Sequence, residues 1–458
     1  MSVILDTETP SRKEADRSMV QKPIAGPQNA TFRLGTCLLA ASCGILLAPI
    51  GHAAELLSAA SASITPADAA RHVQALADDA FEGREGGTRG GRAAAAYIVD
   101  QIAPLGFEPA GDNGSSYQLF GAGLRNVLAL LPGSDPELAN EVVVIGAHYD
   151  HVGYGTTRNS FGPFGFVHNG ADDNASGVAG LIEVMEAVLR LPEPPRRSIL
   201  FAFWDGEEQG LLGSRHFLRV RPQLLAGKRL VFGVNLDMIG RLRDRRLTVY
   251  GIRTASGLRA RLVAANNAAG NGSGLELAFD WEISEDSDHY AFIAAGIPTI
   301  MLHTGLHDQY HRPSDDVEHV NFDGIPAVSR LALGLVQDVA NGDHAPIFRL
   351  ASRTESNVTR RQLEESRPAN RPARGRWGIL SRSDAAEPSM PVILDVARGS
   401  PAEMAGLRAG DRLLAIEGNR LEDQNDMIGR LTTSGSQCQV EVDRRGLVVV
   451  LQLDEETE

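Results

Sequence analysis

Residues 142–151 read VVVIGAHYDH, and residues 199–208 read ILFAFWDGEE. In each stretch an apolar run is followed at once by histidine or acidic side chains. Short apolar runs with such boundaries are typical of strands that are buried on both faces. Because open α/β sheets bind ligands at the carboxyl ends of their strands, both stretches predict strands whose ends carry chemical function.

Further apolar runs lie around these two stretches, near residue 130 and from residues 230 and 297. Helical spacing of apolar residues fills several of the intervals, as between Ser176 and Leu191, and two more helices are predicted between Thr65 and Leu105. The alternation predicts an α/β fold with a mixed, mostly parallel sheet that is flanked by helices on both faces.

Five strand ends, or the turns that follow them, each supply a histidine or a carboxylate. They are His148, Asp172, Glu208, Asp237 and His311. Any one of them alone is more often a hydrogen-bonded structural group, but carboxylates that share an enclosed site repel one another unless cations lie between them. Two imidazoles with three carboxylates suit zinc, and one bridging carboxylate would let the set hold two ions. Alternation along the strand also places Asp150 on the same side as His148.

Six segments, in this order and spacing, resemble the zinc aminopeptidase family that includes bacterial leucyl aminopeptidases, glutamate carboxypeptidase II and glutaminyl cyclases. They read GAHYDHVG, GADDNASG, WDGEEQGLLGS, NLDMIG, SDHYAF and YHRPSDD, and the resemblance extends from about Ile64 to Asp338. It implies a zinc exopeptidase-like fold with two Zn²⁺ per chain. It also implies that a water activated by both ions removes N-terminal residues from peptides with a free N-terminus.

The resemblance also assigns the ligands. It makes Asp172 the bridging carboxylate, places His148 and Asp237 on one zinc, and places Glu208 and His311 on the other.

Five further positions match the family's catalytic and substrate-binding residues. Glu207 matches the general base, and Asp150 matches the acid that orients His148. Tyr310 resembles a phenol that polarises the substrate carbonyl, although a packed tyrosine beside a ligand fits the sequence equally well. Asp288 and His289 fall where the family lines its substrate site.

Three other histidines, His151, His303 and His307, lie near these motifs and are interpreted as supporting residues rather than ligands. The aromatic and glycine-rich segment from Tyr154 to Val167 is either a lid over the site or a plain surface loop. Two alternative functions stay open. One is another amide-hydrolysing activity, carboxypeptidase or glutaminyl cyclase-like, and the other is a non-catalytic peptide-binding protein, which has no need for so many adjacent carboxylates.

The C-terminal part has a different pattern. Residues 343–375 are polar, Arg-rich and punctuated by proline, which predicts a flexible linker and a separable catalytic domain over residues 54–342. Residues 376–458 resemble a PDZ domain, with Arg376 to Ile379 at the place of the carboxylate-binding loop. Such a module either binds the C-terminus of a peptide or protein or serves as a packing module.

The apolar run from Leu34 to Ile50 is followed by small residues, which predicts a signal peptide over residues 1–53, with Met19 as an alternative start. The mature protein is then expected in the periplasm or outside the cell, with membrane attachment only through an uncleaved signal or a lipid anchor at Cys43. Cys438 would be its single cysteine, so no internal disulfide is expected. A net charge of −14 and the lack of a Lys/Arg cluster in the apolar-periodic regions speak against a nucleic-acid partner.

Overall fold

A computed structural model describes residues 58–270, 273–367 and 375–455. The predicted signal peptide over residues 1–53 lies outside the described residues. Within the described ranges, no helix combines the length and apolar character that a membrane crossing requires.

The larger sheet is mixed and contains nine strands in the described part of the chain. The strands are β1 Glu108–Pro109, β2 Tyr117–Phe120, β3 Leu124–Leu131, β4 Glu141–His148, β5 Ser198–Trp204, β6 Arg229–Leu236, β7 Arg246–Tyr250, β8 Glu276–Phe279 and β9 Thr299–His303. Their order is β1-β3-β5-β4-β6-β9-β7-β8, and β2 pairs with β3. Strands β5, β4, β6 and β9 run parallel, whereas β3 and β7 join this centre in antiparallel fashion. The predicted mixed α/β sheet is confirmed.

Helices cover both faces of this sheet. They are α1 Pro66–Leu76, α2 Arg89–Ile102, α3 Gly177–Val188, α4 Leu212–Arg219, α5 Leu258–Asn266, α6 His289–Ala294 and α7 Gly324–Asn341. Helix α3 is buried almost all round because it packs between the sheet and α7. Gly180 permits this close approach, since a Cβ there would lie 2.8 Å from the hydroxyl of Ser329. Because β4, β5, β6 and β9 run parallel, their carboxyl ends lie at one edge of the sheet.

The C-terminal module is a separate antiparallel sheet with its own apolar core, which confirms the predicted small β-rich domain. Its elements are β10 Ile379–Arg382, β11 Val392–Val396, α9 Pro401–Met404, β12 Arg412–Ile416, β13 Asn419–Arg420, α10 Gln424–Thr433, β14 Gln437–Arg444 and β15 Leu447–Asp454. The strand order is β10-β11-β12-β14-β15, and β13 pairs with β12. Cys438 is buried in this core as a free thiol.

The segment predicted as a flexible linker differs from that expectation. It contains a helix, α8 Asn357–Glu364, which begins with a capping box at Ser356. Glu355 forms ion pairs with Arg253 of the larger domain and with Arg349 of the segment itself. The ion pair between Glu355 and Arg253 attaches the segment over residues 343–367 to the larger domain. Residues 368–374 lie outside the described part.

The two domains also contact each other directly through buried polar groups. The carboxylate of Glu387 accepts hydrogen bonds from the backbone N–H groups of Arg259 and Ala260, and so it caps the N-terminus of α5. Arg259 forms a buried ion pair with Asp443, at 2.7 Å. The C-terminal module is therefore docked on α5, not tethered beside it.

Candidate active site

Histidine and acidic side chains from four neighbouring strands converge on one cavity of about 180 Å³. His148 is the last residue of β4, and Glu207 and Glu208 lie in the turn after β5. Asp237 follows β6, and His311 lies in the loop after β9. The strand order β5-β4-β6-β9 makes these ends adjacent, as the sequence analysis expected.

The donor atoms form two groups. In the first, Nε2 of His148 lies 3.4 Å from Oδ1 of Asp237, and the carboxylate of Glu207 is close to both. In the second, Nε2 of His311 lies 3.1 Å from Oε2 of Glu208. In each group one donor atom of every member lies within 4.8 Å of the others.

Asp173 stands between the two groups. Its Oδ1 lies 3.4 Å from Nε2 of His148, and its Oδ2 lies 3.2 Å from Nε2 of His311. One carboxylate therefore presents an oxygen to each group, which is the arrangement that a bridging ligand needs.

The family resemblance places Asp172 at this position, and the geometry does not support that assignment. Oδ1 of Asp172 accepts hydrogen bonds from the backbone N–H of Gly240, at 2.6 Å, and from the hydroxyl of Ser176, at 3.0 Å. Its Oδ2 lies 3.2 Å from Nε2 of His307. The sequence GADD does not distinguish its two aspartates. The backbone conformation of the turn determines which of them faces the cavity.

His151, which the sequence predicts to be a supporting residue, is a donor of the second group. Its Nδ1 lies 2.9 Å from Oε1 of Glu208 and 3.6 Å from Oδ2 of Asp173, within the second group. Strand alternation would turn His151 away from His148, but β4 ends at His148 and the chain then turns. The second histidine of the HYDH motif, residues 148–151, was the sequence signal for this donor. The turn after β4 brings its side chain into the site.

The charges of the site fit cations. Burial lowers the pKa of His148, but the carboxylates of Glu207 and Asp237 outweigh that effect and hold the pKa well above its usual value. Burial likewise lowers the pKa of His311, while Glu208 and Asp173 raise it to about 10. Four carboxylates in one buried site thus attract positive charge strongly, and nitrogen with oxygen donors is a set that zinc binds well.

Asp150 is fully buried and holds the two glutamates as well as the histidine. Its carboxylate accepts hydrogen bonds from the backbone N–H of Glu207, at 3.1 Å, and of Glu208, at 3.3 Å. Oδ1 lies 3.8 Å from Nδ1 of His148, and that nitrogen is 3.2 Å from the carbonyl oxygen of Asp150. A single carboxylate therefore ties the end of β4 to the turn after β5.

Tyr310 lines the cavity, and its ring stacks on that of His311 with centroids 3.9 Å apart. Asp288 and His289, which were expected at the substrate site, are not among the described residues that line it. They are buried behind β6, where burial raises the pKa of Asp288 to about 7. Asp286, two residues earlier, lines the cavity instead.

The remaining wall of the cavity is largely apolar. Met238, Tyr250, Met301 and Leu306 contribute to it, together with His303. His303 thus borders the site, whereas His307 lies behind the turn with Asp172.

The aromatic segment from Tyr154 to Val167 borders the site through its backbone. The N–H of Phe161 and the hydroxyl of Ser160 both donate to the carbonyl oxygen of His311, at 3.1 and 3.0 Å. The ring of Phe161 lies 6.2 Å from that of Tyr310 and is 63% exposed. The segment therefore places an exposed aromatic side chain next to the cavity.

The C-terminal module has its own groove between β10 and α10, with a volume of about 500 Å³. Apolar side chains dominate its walls, among them Leu380, Met427 and Ile428. Trp377 is buried, and its Nε1–H donates to the carbonyl oxygen of Leu431. The tryptophan of the predicted carboxylate-binding loop thus packs into the module.

Comparison with known proteins agrees with this fold and site. Residues 126–336 match the model of peptidase family M28, and residues 392–444 match that of the PDZ domain. Residues 126–336 are therefore similar to peptidase family M28 and residues 392–444 to the PDZ domain, which agrees with the resemblance of the motifs.

Two curated relatives illustrate the similarity. The chain is 28% identical over 230 residues to leucine aminopeptidase 1 of Trichophyton rubrum, covering 47% of this chain and 58% of that one. It is 26% identical over 333 residues to the probable lipoprotein aminopeptidase LpqL of Mycobacterium tuberculosis, covering 62% and 61%. The chain thus spans about three-fifths of the length of these relatives.

Among solved structures, the LapA aminopeptidase of Legionella pneumophila is similar in fold, with a TM-score of 0.53 and 19% identity. The similarity covers 63% of this chain and 75% of that one.

Proposed function

We propose that the chain is a two-zinc aminopeptidase that removes N-terminal residues from peptides. The observation that carries this proposal is the position of Asp173, whose two carboxylate oxygens face two separate groups of donors. The match of residues 126–336 to peptidase family M28 and the similarity to leucine aminopeptidase 1 of Trichophyton rubrum support the same reaction class.

The donor groups suggest which residues hold each ion. His148 and Asp237 would hold one zinc and Glu208 and His311 the other, with Asp173 shared between them. Bound zinc lowers the pKa of a water molecule and polarises the carbonyl of the scissile peptide bond. His151 would support the second site through its contact with Glu208 and Asp173.

Glu207 is the side chain best suited to move the proton. Burial raises its pKa well above the usual value, and the charges of Glu208, Asp288 and Asp237 add to that effect. A carboxylate with a raised pKa accepts a proton from the attacking water more readily and can pass it to the leaving amine. The carboxylate of Asp150 accepts a hydrogen bond from the backbone N–H of Glu207 and so keeps Glu207 in place.

Tyr310 would contact the substrate as a hydrogen-bond donor. Burial and nearby carboxylates raise the pKa of its phenol, so it stays protonated at neutral pH. A phenol on the cavity wall can donate to the carbonyl oxygen as negative charge develops there.

The charge of the cavity favours an amine over a carboxylate as the end group of the substrate. No lysine or arginine occurs among the described residues that line it, whereas Asp286, Asp237 and Glu207 do. A carboxypeptidase would need a cation to bind the substrate's terminal carboxylate. The same acidic wall attracts the ammonium of a free N-terminus.

The remaining assignments from the sequence complete the proposal. Residues 54–342 form the catalytic domain, and residues 376–458 form the PDZ domain, whose groove would take the C-terminus of a peptide or protein. Residues 1–53 would direct export and be removed, which places the enzyme in the periplasm or outside the cell.

The sharpest test compares neighbouring carboxylates. Asp173→Asn should lose zinc, because the bridging oxygen charge disappears, whereas Asp172→Asn should retain about two zinc ions per chain, because its oxygen atoms serve hydrogen bonds. Glu207→Gln should also retain zinc but lose roughly two to four orders of magnitude in turnover, the usual effect of removing a positioned base. Metal analysis by mass spectrometry and turnover of aminoacyl nitroanilides provide the measurements.

Substrate choice tests the reaction class. Peptides with a free N-terminus should be cleaved, and their N-acetylated counterparts should be poor substrates, because the acetyl group removes the positive charge. Equal cleavage of both forms would refute the aminopeptidase assignment. Zinc retained by Asp173→Asn but lost by Asp172→Asn would refute the assignment of the shared ligand.

A further inference from the structure

The turn that carries Asp173 lies between a buried cation and a buried anion, neither of which lines the cavity. The cation is Arg84, which is completely buried. Its guanidinium donates hydrogen bonds to five backbone carbonyl oxygens. These belong to Leu76 at 2.7 Å, Tyr149 at 2.9 Å, Asn169 at 2.5 Å, Gly170 at 2.9 Å and Asp173 at 3.5 Å.

The anion is Asp315, which is also completely buried and holds the other side of the same turn. Its Oδ2 accepts hydrogen bonds from the N–H groups of Asp172, at 3.1 Å, and Asp173, at 3.0 Å. Its own carbonyl oxygen accepts from the N–H of Ala171, at 3.0 Å. The turn thus has its carbonyls bound to Arg84 and its N–H groups bound to Asp315.

Both residues also connect the turn to other parts of the site. Tyr149, whose carbonyl oxygen accepts from Arg84, lies between His148 and Asp150 in the chain. Asp315 follows His311 by four residues in the loop after β9. The spacing between the Asp173 carboxylate and the histidines on either side therefore depends on these two side chains.

The chemistry explains why an arginine occupies position 84. A guanidinium offers five N–H donors in one plane, whereas a lysine ammonium offers three from a single atom. Arg84 has a left-handed backbone conformation with φ of +51°, a cost that persists only where the surroundings require it. At neutral pH its charge also offsets part of the carboxylate cluster, since Asp173, Asp150 and Glu208 lie close enough to act on it.

We infer that Arg84 and Asp315 are positioning residues that hold the Asp173 carboxylate between the two donor groups. This inference rests on the proposed two-zinc function, because it concerns how the shared ligand is held. It adds two residues that touch neither the substrate nor the ions and that act through the backbone of one turn.

Zinc affinity of the metal-free protein tests the inference without relying on turnover. We expect Arg84→Lys and Asp315→Asn each to weaken zinc binding roughly 10- to 100-fold, the range usual for residues that orient metal ligands. The cobalt-substituted variants should show an altered visible absorption spectrum, which reports ligand geometry. Competition with a chromophoric chelator measures the affinity.

Arg330→Lys is the matched control. Arg330 also donates to backbone carbonyls, those of Ser61 and Ile64, and none of these three is among the described residues that line the cavity. It should leave zinc affinity and the cobalt spectrum unchanged. Circular dichroism shows which metal-free variants are folded, and if Arg84→Lys does not fold, Asp315→Asn decides.

The possible results are distinct. Folded variants that bind zinc as tightly as the unaltered protein, with the same cobalt spectrum, would overturn the inference and leave the proposed function standing. An unaltered protein that binds no zinc would overturn the proposed function and the inference with it.

Discussion

Asp384 offers a direct test of whether the C-terminal module is a fixed part of the fold. Its side chain is buried, with 1% of its surface exposed. Oδ2 accepts a hydrogen bond from Nη1 of Arg253, at 2.8 Å, and forms an ion pair with Nη2 of Arg412, at 2.9 Å. Arg253 belongs to the larger domain, whereas Arg412 belongs to β12 of the module. We predict that Asp384→Asn, which keeps the shape but removes the charge, destabilises both domains together.

The magnitude follows from the pKa of the carboxyl group. Burial raises the pKa of Asp384, but hydrogen bonding and charge from Arg253 and the charge of Arg412 outweigh that effect and lower it from 3.8 to about 2. A shift of this size corresponds to about 2.5 kcal/mol of stability at neutral pH. Because the folded pKa is depressed, this contribution is present above about pH 4 and is lost as the pH falls towards 2. Both arginines keep a second carboxylate, so we expect a loss of about 3 kcal/mol, near the lower end for a broken buried pair.

Thermal unfolding of the full chain, followed by calorimetry and circular dichroism, measures the effect. The midpoint should fall by several degrees in one transition at neutral pH, and the difference from the unaltered protein should narrow as the pH falls from about 4 towards 2. Asp338→Asn is the control, since Asp338 pairs with Arg261 in an exposed position and should contribute little. An Asp384→Asn protein with unchanged unfolding, or one in which the module alone melts earlier, would refute the reasoning.

Three further predictions concern other parts of the chain. Deleting residues 343–458 should lower the unfolding midpoint and the solubility, because it uncaps α5 and exposes Val263, which packs against the C-terminal module; a soluble deletion protein with an unchanged midpoint would contradict this. Burial raises the pKa of Glu183 from 4.5 to about 7. The folded protein therefore loses stability as the pH rises from about 4.5 to 7, because the unfolded chain ionises more readily. Glu183→Gln should increase the free energy of unfolding by about 2–3 kcal/mol at pH 8 and change it little at pH 5. Urea titration at the two pH values measures this, and an equal effect at both would count against it. Phe161→Ala should lower kcat/KM roughly tenfold for peptides with apolar residues after the scissile bond, but not for aminoacyl nitroanilides, as expected for one lost apolar contact. Ile347→Ala, at an exposed apolar position, is its control, and equal losses on both substrate types would exclude this role.

The flexible linker was predicted from composition, and the structure shows why composition misled. Polar, Arg-rich and Pro-punctuated sequences are common in tethers. Here the acidic residues of the segment meet arginines from elsewhere in the chain, and Glu364 pairs with Arg259 of the larger domain and Arg412 of the module. Whether a charged side chain faces water or a partner depends on residues far away in sequence.

The sequence by itself determined the α/β architecture and most of the candidate site. Apolar runs that end in histidine or acidic residues predict both the strands and the edge of the sheet where these side chains meet, because strand direction controls the position of strand ends. This reasoning needs only local patterns. It predicts that five side chains lie near one another, and the structure places all five in one cavity: His148, Glu207, Glu208, Asp237 and His311.

Tertiary structure alone decided which neighbour of each motif faces the cavity. Asp172 and Asp173 differ by one position, and the course of their turn, held by Arg84 and Asp315, directs Asp173 inwards. His151 enters the site because β4 stops at His148, so that strand alternation no longer applies. The direction of a side chain in a turn depends on hydrogen bonds to segments that are distant in sequence, and the local sequence does not specify these bonds.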